Sequence, residues 1–85
     1  MENIKSTNDL IDLFIRVATN NPNQVNKLFD KYVSFIRSHH YSLNTSRGIA
    51  ARNLGLLADS RGPEEYDLLL RTIPKMRGMK KSKQY

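Results

Sequence analysis

Apolar residues recur every three or four positions in the middle of the chain, and this spacing is what most constrains the fold. The clearest run contains Val25, Leu28, Phe29, Tyr32, Val33, Ile36 and, after a gap, Leu43. Such spacing puts apolar side chains on one face of an α-helix, and no segment alternates apolar and polar residues as a half-buried strand does. The sequence therefore predicts an all-α protein whose strongest helix has about 20 residues and a length of roughly 30 Å.

Two capping signals mark the first two helices. Ser6, with Asp9 three residues later, predicts a helix start at which side chains satisfy free backbone N–H groups. The run Asn20-Asn21-Pro22 ends this helix and begins the second, with Asn21 as the cap and Pro22 in the first turn.

The boundary between the second and third helices has two interpretations. Residues 44–46 are weak helix formers but favourable caps. Either the second helix continues through them, or Ser46 caps a new helix over 47–59. A short fourth helix follows over 63–72, between a Gly-Pro pair and a second proline. We expect three or four helices in all.

The same patterns predict a core and a second apolar surface. We expect the core to contain Leu13, Val17, Leu28, Phe29, Tyr32, Ile36, Leu54 and Leu57. The first helix carries apolar residues on more than one face, and Phe35 lies outside the main stripe of the second. A chain of 85 residues has little surface with which to cover both regions. We therefore expect self-association, as a symmetric homodimer.

Length and composition indicate one domain. We place a single helical domain at 1–74 and a basic tail, expected to be disordered, at 75–85. The chain has no Cys, which excludes disulfides and thiolate metal sites. The sequence shows neither a signal-peptide pattern nor an apolar run of membrane-spanning length. We expect a cytoplasmic protein that makes no membrane contact.

No motif indicates catalysis. His39 and His40 are adjacent, and adjacent helical residues point about 100° apart, so the pair cannot hold one metal from one helix face. The acids at 64–67 suit the positive end of a helix dipole. Phosphate-binding loops, nucleophile elbows and HExxH motifs do not occur. We expect a protein that is not an enzyme and needs no cofactor and no metal.

Positive charge is concentrated in the middle and at the end of the chain. Fourteen Lys and Arg residues face eight Asp and Glu, and no acid lies between Lys31 and Ala58. Because Lys and Arg contact phosphates without reading sequence and hydroxyls reach ribose 2′-OH groups, this pattern predicts sequence-independent binding to a nucleic-acid duplex. The candidate contacts are Lys27, Lys31, Arg37, Ser38, Arg47 and Arg52.

One stretch is similar to a known family. The run Asn21-Pro22-Asn23-Gln24-Val25 resembles the start of the long helix in the small RNA-silencing suppressors of nodaviruses. The pair at 29–30 resembles an apolar residue and an Asp of that family. The pair at 46–47 resembles a Ser-Arg further along, after a shift of two residues.

The resemblance implies a helical hairpin that dimerises into a four-helix bundle and lays one face along double-stranded RNA, contacting its backbone. It implies RNA contacts for Lys27 and Arg47, with Gln24 at a third, polar position. Ser38 and His40 stand where the family has lysines. The implied role is a viral suppressor of RNA silencing in the host cytoplasm. The alternative is a small phage-type or viral regulator that binds a host protein, which the small size and the basic tail fit equally well.

Overall fold

Four helices make up most of the computed structural model, which describes residues 5–76. They are α1 (Thr7–Asn20), α2 (Pro22–Arg37), α3 (Leu43–Arg61) and α4 (Pro63–Thr72), and one further helical turn spans 74–76. The part of the chain that the structure describes contains no strand. The prediction of an all-α protein is confirmed, and each helix packs against the other three within a single chain.

Helix α1 begins as the sequence predicted, but it is rotated relative to the expected core. The Ser6 hydroxyl accepts a hydrogen bond from the backbone N–H of Asp9 at 3.2 Å, which caps the helix. The buried face of α1 is formed by Leu10, Ile11, Phe14 and Ala18. Because this face is centred near Phe14 and Ala18, Ile11 turns inward and Leu13 lies at the edge of the core, half-buried.

Helix α2 is shorter than predicted, and both interpretations of its boundary with α3 are wrong. It has 16 residues and ends at Arg37. The chain then turns through His40, whose φ of 74° is left-handed and cannot continue an α-helix. Ser42 caps α3 by accepting a hydrogen bond from the N–H of Thr45 at 3.1 Å. Ser46 lies one turn inside α3, fully buried, and its hydroxyl donates to the Ser42 carbonyl.

The core contains half of the residues that the sequence placed there. Those buried as predicted are Phe29, Tyr32, Ile36 and Leu54. Those that are only half-buried are Leu13, Val17, Leu28 and Leu57. The interior is completed mainly by residues from the other helix faces and from the end of the domain: Leu10, Ile11, Phe14, Ala18, Val25, Val33, Ala50, Ala51, Ala58, Leu69, Ile73 and Met76.

The folded domain extends two residues beyond the boundary that we predicted at 74. The Lys75 ammonium lies 2.6 Å from a carboxylate oxygen of Asp30, and Met76 is buried in the core. The Asn26 amide donates to the carbonyl of Thr72 at 2.9 Å, which fixes the end of α4 against α2. The rest of the predicted tail, 77–85, lies outside the described residues.

Between residues 5 and 76, no helix combines the length and the apolar character that a membrane span needs.

Candidate nucleic-acid interface

Helices α2 and α3 form an antiparallel hairpin whose register is marked by one side-chain hydrogen bond. Only the residues 38–42 separate them, which brings the second helix back along the first. The Asn53 amide donates to the Tyr32 hydroxyl at 3.2 Å, so these two residues lie level. One turn toward the loop, Phe35 is level with Ile49. One turn away from the loop, Leu28 is level with Leu56.

We call the side of this hairpin that points away from the core the outer face. On α2, a turn of 100° per residue puts Lys27, Lys31 and Ser38 opposite the buried Phe29 and Ile36, and all three are exposed. On α3, the exposed Arg52 lies opposite the buried Leu54 and Ala58 and therefore on the same face. The fold thus brings four of the six predicted contacts to one surface of the protein.

The other two predicted contacts lie elsewhere. Arg37 is exposed at the last position of α2, but it is turned roughly 100° from Ser38 toward the edge of the hairpin. Arg47 is exposed in the first turns of α3, about 140° around the helix from Arg52. The six predicted contacts therefore do not share one face of the hairpin, because Arg37 and Arg47 are turned away from the other four.

Within residues 5–76, the cations of the predicted site are not ion-paired with acids. The ion pairs of the described helices join Arg61 to Asp12 at 2.7 Å, Arg71 to Asp67 at 3.1 Å and Lys75 to Asp30 at 2.6 Å. Across residues 5–76, no ion pair involves the five predicted cations, which are Lys27, Lys31, Arg37, Arg47 and Arg52. Their charge is therefore available to an external anion.

The hydroxyl of Ser38 is partly engaged by its own helix. It donates to the carbonyl of Phe35 at 2.5 Å at the end of α2. The oxygen keeps lone pairs that can accept from a ribose 2′-OH. Ser38 can therefore accept a hydrogen bond from RNA while its own O–H remains hydrogen-bonded to the Phe35 carbonyl.

The two histidines have separate structural roles at the hairpin loop. A ring nitrogen of His39 lies 3.1 Å from the carbonyl oxygen of Phe35, and the two rings meet edge to face with centroids 5.2 Å apart. His40 is the left-handed residue of the turn. No group of three or more potential metal ligands comes together among residues 5–76.

The outer face also carries an apolar feature that the sequence analysis identified only in part. Phe35 is 53% exposed and Leu56 is 56% exposed, and half-buried Leu28 and Ile49 lie beside them. We expected Phe35 to be exposed but did not single out Leu56. Placing α3 on a helical wheel would have found it, since Leu56 lies well outside the stripe of Ala50, Leu54 and Ala58.

Comparisons with protein-family models, with curated proteins and with solved structures gave no match.

Proposed function

We propose that this protein binds double-stranded RNA without regard to base sequence, through the outer face of the α2–α3 hairpin. The observation that carries the proposal is the set of exposed cations on that face, Lys27, Lys31 and Arg52, none of which is paired with an acid of the described chain. Paired cations would have to break an ion pair before they met a phosphate. Unpaired ones need only release water and counterions.

The length of the outer face limits the contact to a short piece of duplex. Lys27 and Ser38 are eleven positions apart on and just after α2, which corresponds to roughly 17 Å along the helix axis. This is about half of one duplex turn, which measures roughly 34 Å in B-form DNA. One chain therefore contacts few phosphates, and we expect modest affinity with a measurable but moderate salt dependence.

RNA is preferred over DNA in this proposal for two reasons. The resemblance at 21–25 points to proteins that bind double-stranded RNA. In addition, the exposed hydroxyls of Ser34 and Ser38 stand beside the lysines, and a 2′-OH is the group that distinguishes RNA from DNA at a protein surface. The proposed biological role is that of a viral suppressor of RNA silencing, acting on duplex RNA in the host cytoplasm.

A titration series tests the proposal directly. We expect fluorescence anisotropy to show binding to a labelled RNA duplex, weaker binding to the DNA duplex of the same sequence, and little binding to either single strand. The double variant Lys27→Ala/Lys31→Ala should lower the affinity for every RNA duplex alike and reduce the salt slope by about two units.

The matched control is Arg16→Ala, which removes an exposed cation from α1, outside the proposed interface. It should leave the affinity and the slope nearly unchanged. A deletion of 77–85 separates the interface from the basic tail. If that deletion abolished binding while Lys27→Ala/Lys31→Ala had no effect, the outer face would not be the RNA site.

A further inference from the structure

We call the strip of the outer face that lies between the packed helices α2 and α3 the groove. Four apolar side chains stand at its corners, and they are Leu28, Phe35, Ile49 and Leu56. The hydrogen bond from Asn53 to Tyr32 lies between the pair Phe35–Ile49 and the pair Leu28–Leu56. It satisfies the Asn53 amide and the Tyr32 hydroxyl at the bottom of the groove. An exposed apolar cluster framed by polar residues is typical of a surface that another molecule covers.

The rims of this groove are positively charged. Lys31 stands on the α2 side and Arg52 on the α3 side, close to the same level as the Tyr32–Asn53 bond. Asp59 lies one turn beyond Leu56, at the end of the groove, and Asp30 is ion-paired with Lys75. The groove therefore favours an occupant that is apolar in the middle and acidic on both sides.

The positive charge of the rims excludes the basic residues 77–85 as an occupant and disfavours a second copy of the chain. Residues 77–85 carry only basic charge, the same sign as the rims. A second copy docked groove to groove would bring Lys31 against Lys31 or against Arg52, depending on its direction, so that like charges meet in either alignment.

The small apolar area of the groove also disfavours a second copy of the chain. Four partly exposed apolar side chains offer on the order of 300 Å² of surface. A standard protein–protein interface takes roughly 800 Å² from each partner. A single helix can seat its narrow apolar stripe in a groove of this size, whereas a second folded domain would gain less contact than a stable dimer needs.

We infer that the groove binds an amphipathic α-helix of another protein, with apolar anchors and flanking acidic residues. Leu28 and Phe35 are seven positions apart, so they are separated by roughly 10 Å along α2. Anchors at positions i and i+7 of a partner helix have the same separation, and this is the spacing with which helices dock into apolar grooves. Glutamates beside those anchors would meet Lys31 and Arg52.

This inference does not rest on the RNA proposal, although the two ligands share Lys31 and Arg52 and should compete. The probe is a labelled helical peptide of about 18 residues with leucines at i, i+3 and i+7 and glutamates on both flanks. The matched control peptide has lysines in place of the glutamates. We expect the full-length protein to bind the glutamate peptide at least tenfold more tightly than the lysine peptide.

Two protein variants locate the binding. Phe35→Ser/Leu56→Ser removes the exposed apolar corners and should weaken binding of the glutamate peptide at least tenfold. Lys31→Glu/Arg52→Glu should reverse the preference in favour of the lysine peptide. Circular dichroism on both variants establishes that they keep the helical fold.

Several results would overturn the inference. One is equal affinity for the two peptides, and another is no binding of either peptide at about 1 mM. A third is unchanged peptide affinity in Phe35→Ser/Leu56→Ser. If the protein bound no peptide but formed a dimer that this variant dissolved, the occupant would be a second copy. If the wild-type protein bound no RNA, only the proposed function would be contradicted.

Discussion

The side-chain amide of Asn53 donates a hydrogen bond to the hydroxyl of Tyr32 at 3.2 Å, between α3 and α2. Both groups are largely withdrawn from solvent, so an unpaired partner would cost free energy. The bond therefore fixes how far α3 returns along α2. That register decides which residues face one another across the outer face, including the pairing of Phe35 with Ile49.

Two phenylalanines of α2 provide a matched test of the core. Phe29 is fully buried, whereas Phe35 is 53% exposed. Phe29→Ala should lower the free energy of unfolding by about 3–5 kcal/mol, because it removes the aromatic ring and leaves a cavity. Phe35→Ala should cost less than about 1 kcal/mol. Urea titration followed by far-ultraviolet circular dichroism measures both, and similar losses in the two variants would contradict the orientation of α2.

The start of α3 can be tested through its cap. Ser42→Ala removes the acceptor for the Thr45 N–H and should lower the free energy of unfolding by about 1 kcal/mol. Ser34→Ala is the control, because Ser34 is an exposed serine within α2 and does not cap a helix. Thermal unfolding should separate the two variants. Equal stability of Ser42→Ala and the wild type would mean that α3 begins elsewhere.

The backbone conformation at position 40, in the hairpin loop, favours glycine over histidine. His40 has a φ of 74°, which is unfavourable for a side chain with a Cβ atom. His40→Gly should raise the free energy of unfolding by about 0.5–1 kcal/mol, since relief of this strain exceeds the entropy that glycine adds to the unfolded chain. His39→Gly should lower it, because the edge contact with Phe35 is lost. Paired denaturation curves of the two variants check the opposite signs.

Two arginines of α3 test the division of the predicted RNA contacts. Arg52 lies on the outer face, whereas Arg47 is turned about 140° away from it. Arg52→Ala should reduce the slope of log affinity against log salt by about one unit. Arg47→Ala should change the slope little, although the sequence and the resemblance both assigned it an RNA contact. Anisotropy titrations of one RNA duplex at several salt concentrations make the comparison. An equal effect of both variants would contradict this division of the contacts.

Self-association remains a prediction, and the structure changes its basis. The apolar faces of α1 are largely covered within the chain, and the large apolar side chains that stay exposed among residues 5–76 are Phe35, Tyr41, Leu43 and Leu56. We expect a weak dimer at tens of micromolar and above. Its association should strengthen with salt, because salt screens the repulsion between two chains that each carry a net charge of +6.

Sedimentation over a range of protein and salt concentrations measures this association. Leu56→Ser should shift the equilibrium toward monomer. A monomer at every concentration and every salt level would contradict self-association.

Much of the helical architecture was accessible from local signals. Ser6 and Asp9 located the start of α1, and the Gly62-Pro63 pair separated α3 from α4. These signals work because capping and proline geometry act over one turn of backbone. The end of α2 was not accessible in this way. Leu43 continued the apolar spacing of α2 by coincidence, and the left-handed turn at His40 has no glycine to announce it.

The sequence indicated which residue types form the candidate site, but only in part where those residues lie on the fold. The acid-free stretch from Lys31 to Ala58 indicated the positively charged hairpin. It did not show that Arg47 and Arg52 diverge, because that depends on where α3 begins. Nor did it show the groove, since Leu56 becomes significant only beside Leu28 of the neighbouring helix.

The sequence by itself determined the helical class, the charge of the hairpin and most helix ends, because periodicity, charge and capping are properties of neighbouring residues. The tertiary structure alone decided which apolar residues are buried and which stay exposed. Ile11 and Leu13 lie on the same helix, yet Ile11 is in the core and Leu13, which we expected there, is only half-buried. The difference arises because α2, α3 and α4 all pack against α1, and the way in which distant segments pack is not encoded in any single stretch of the chain.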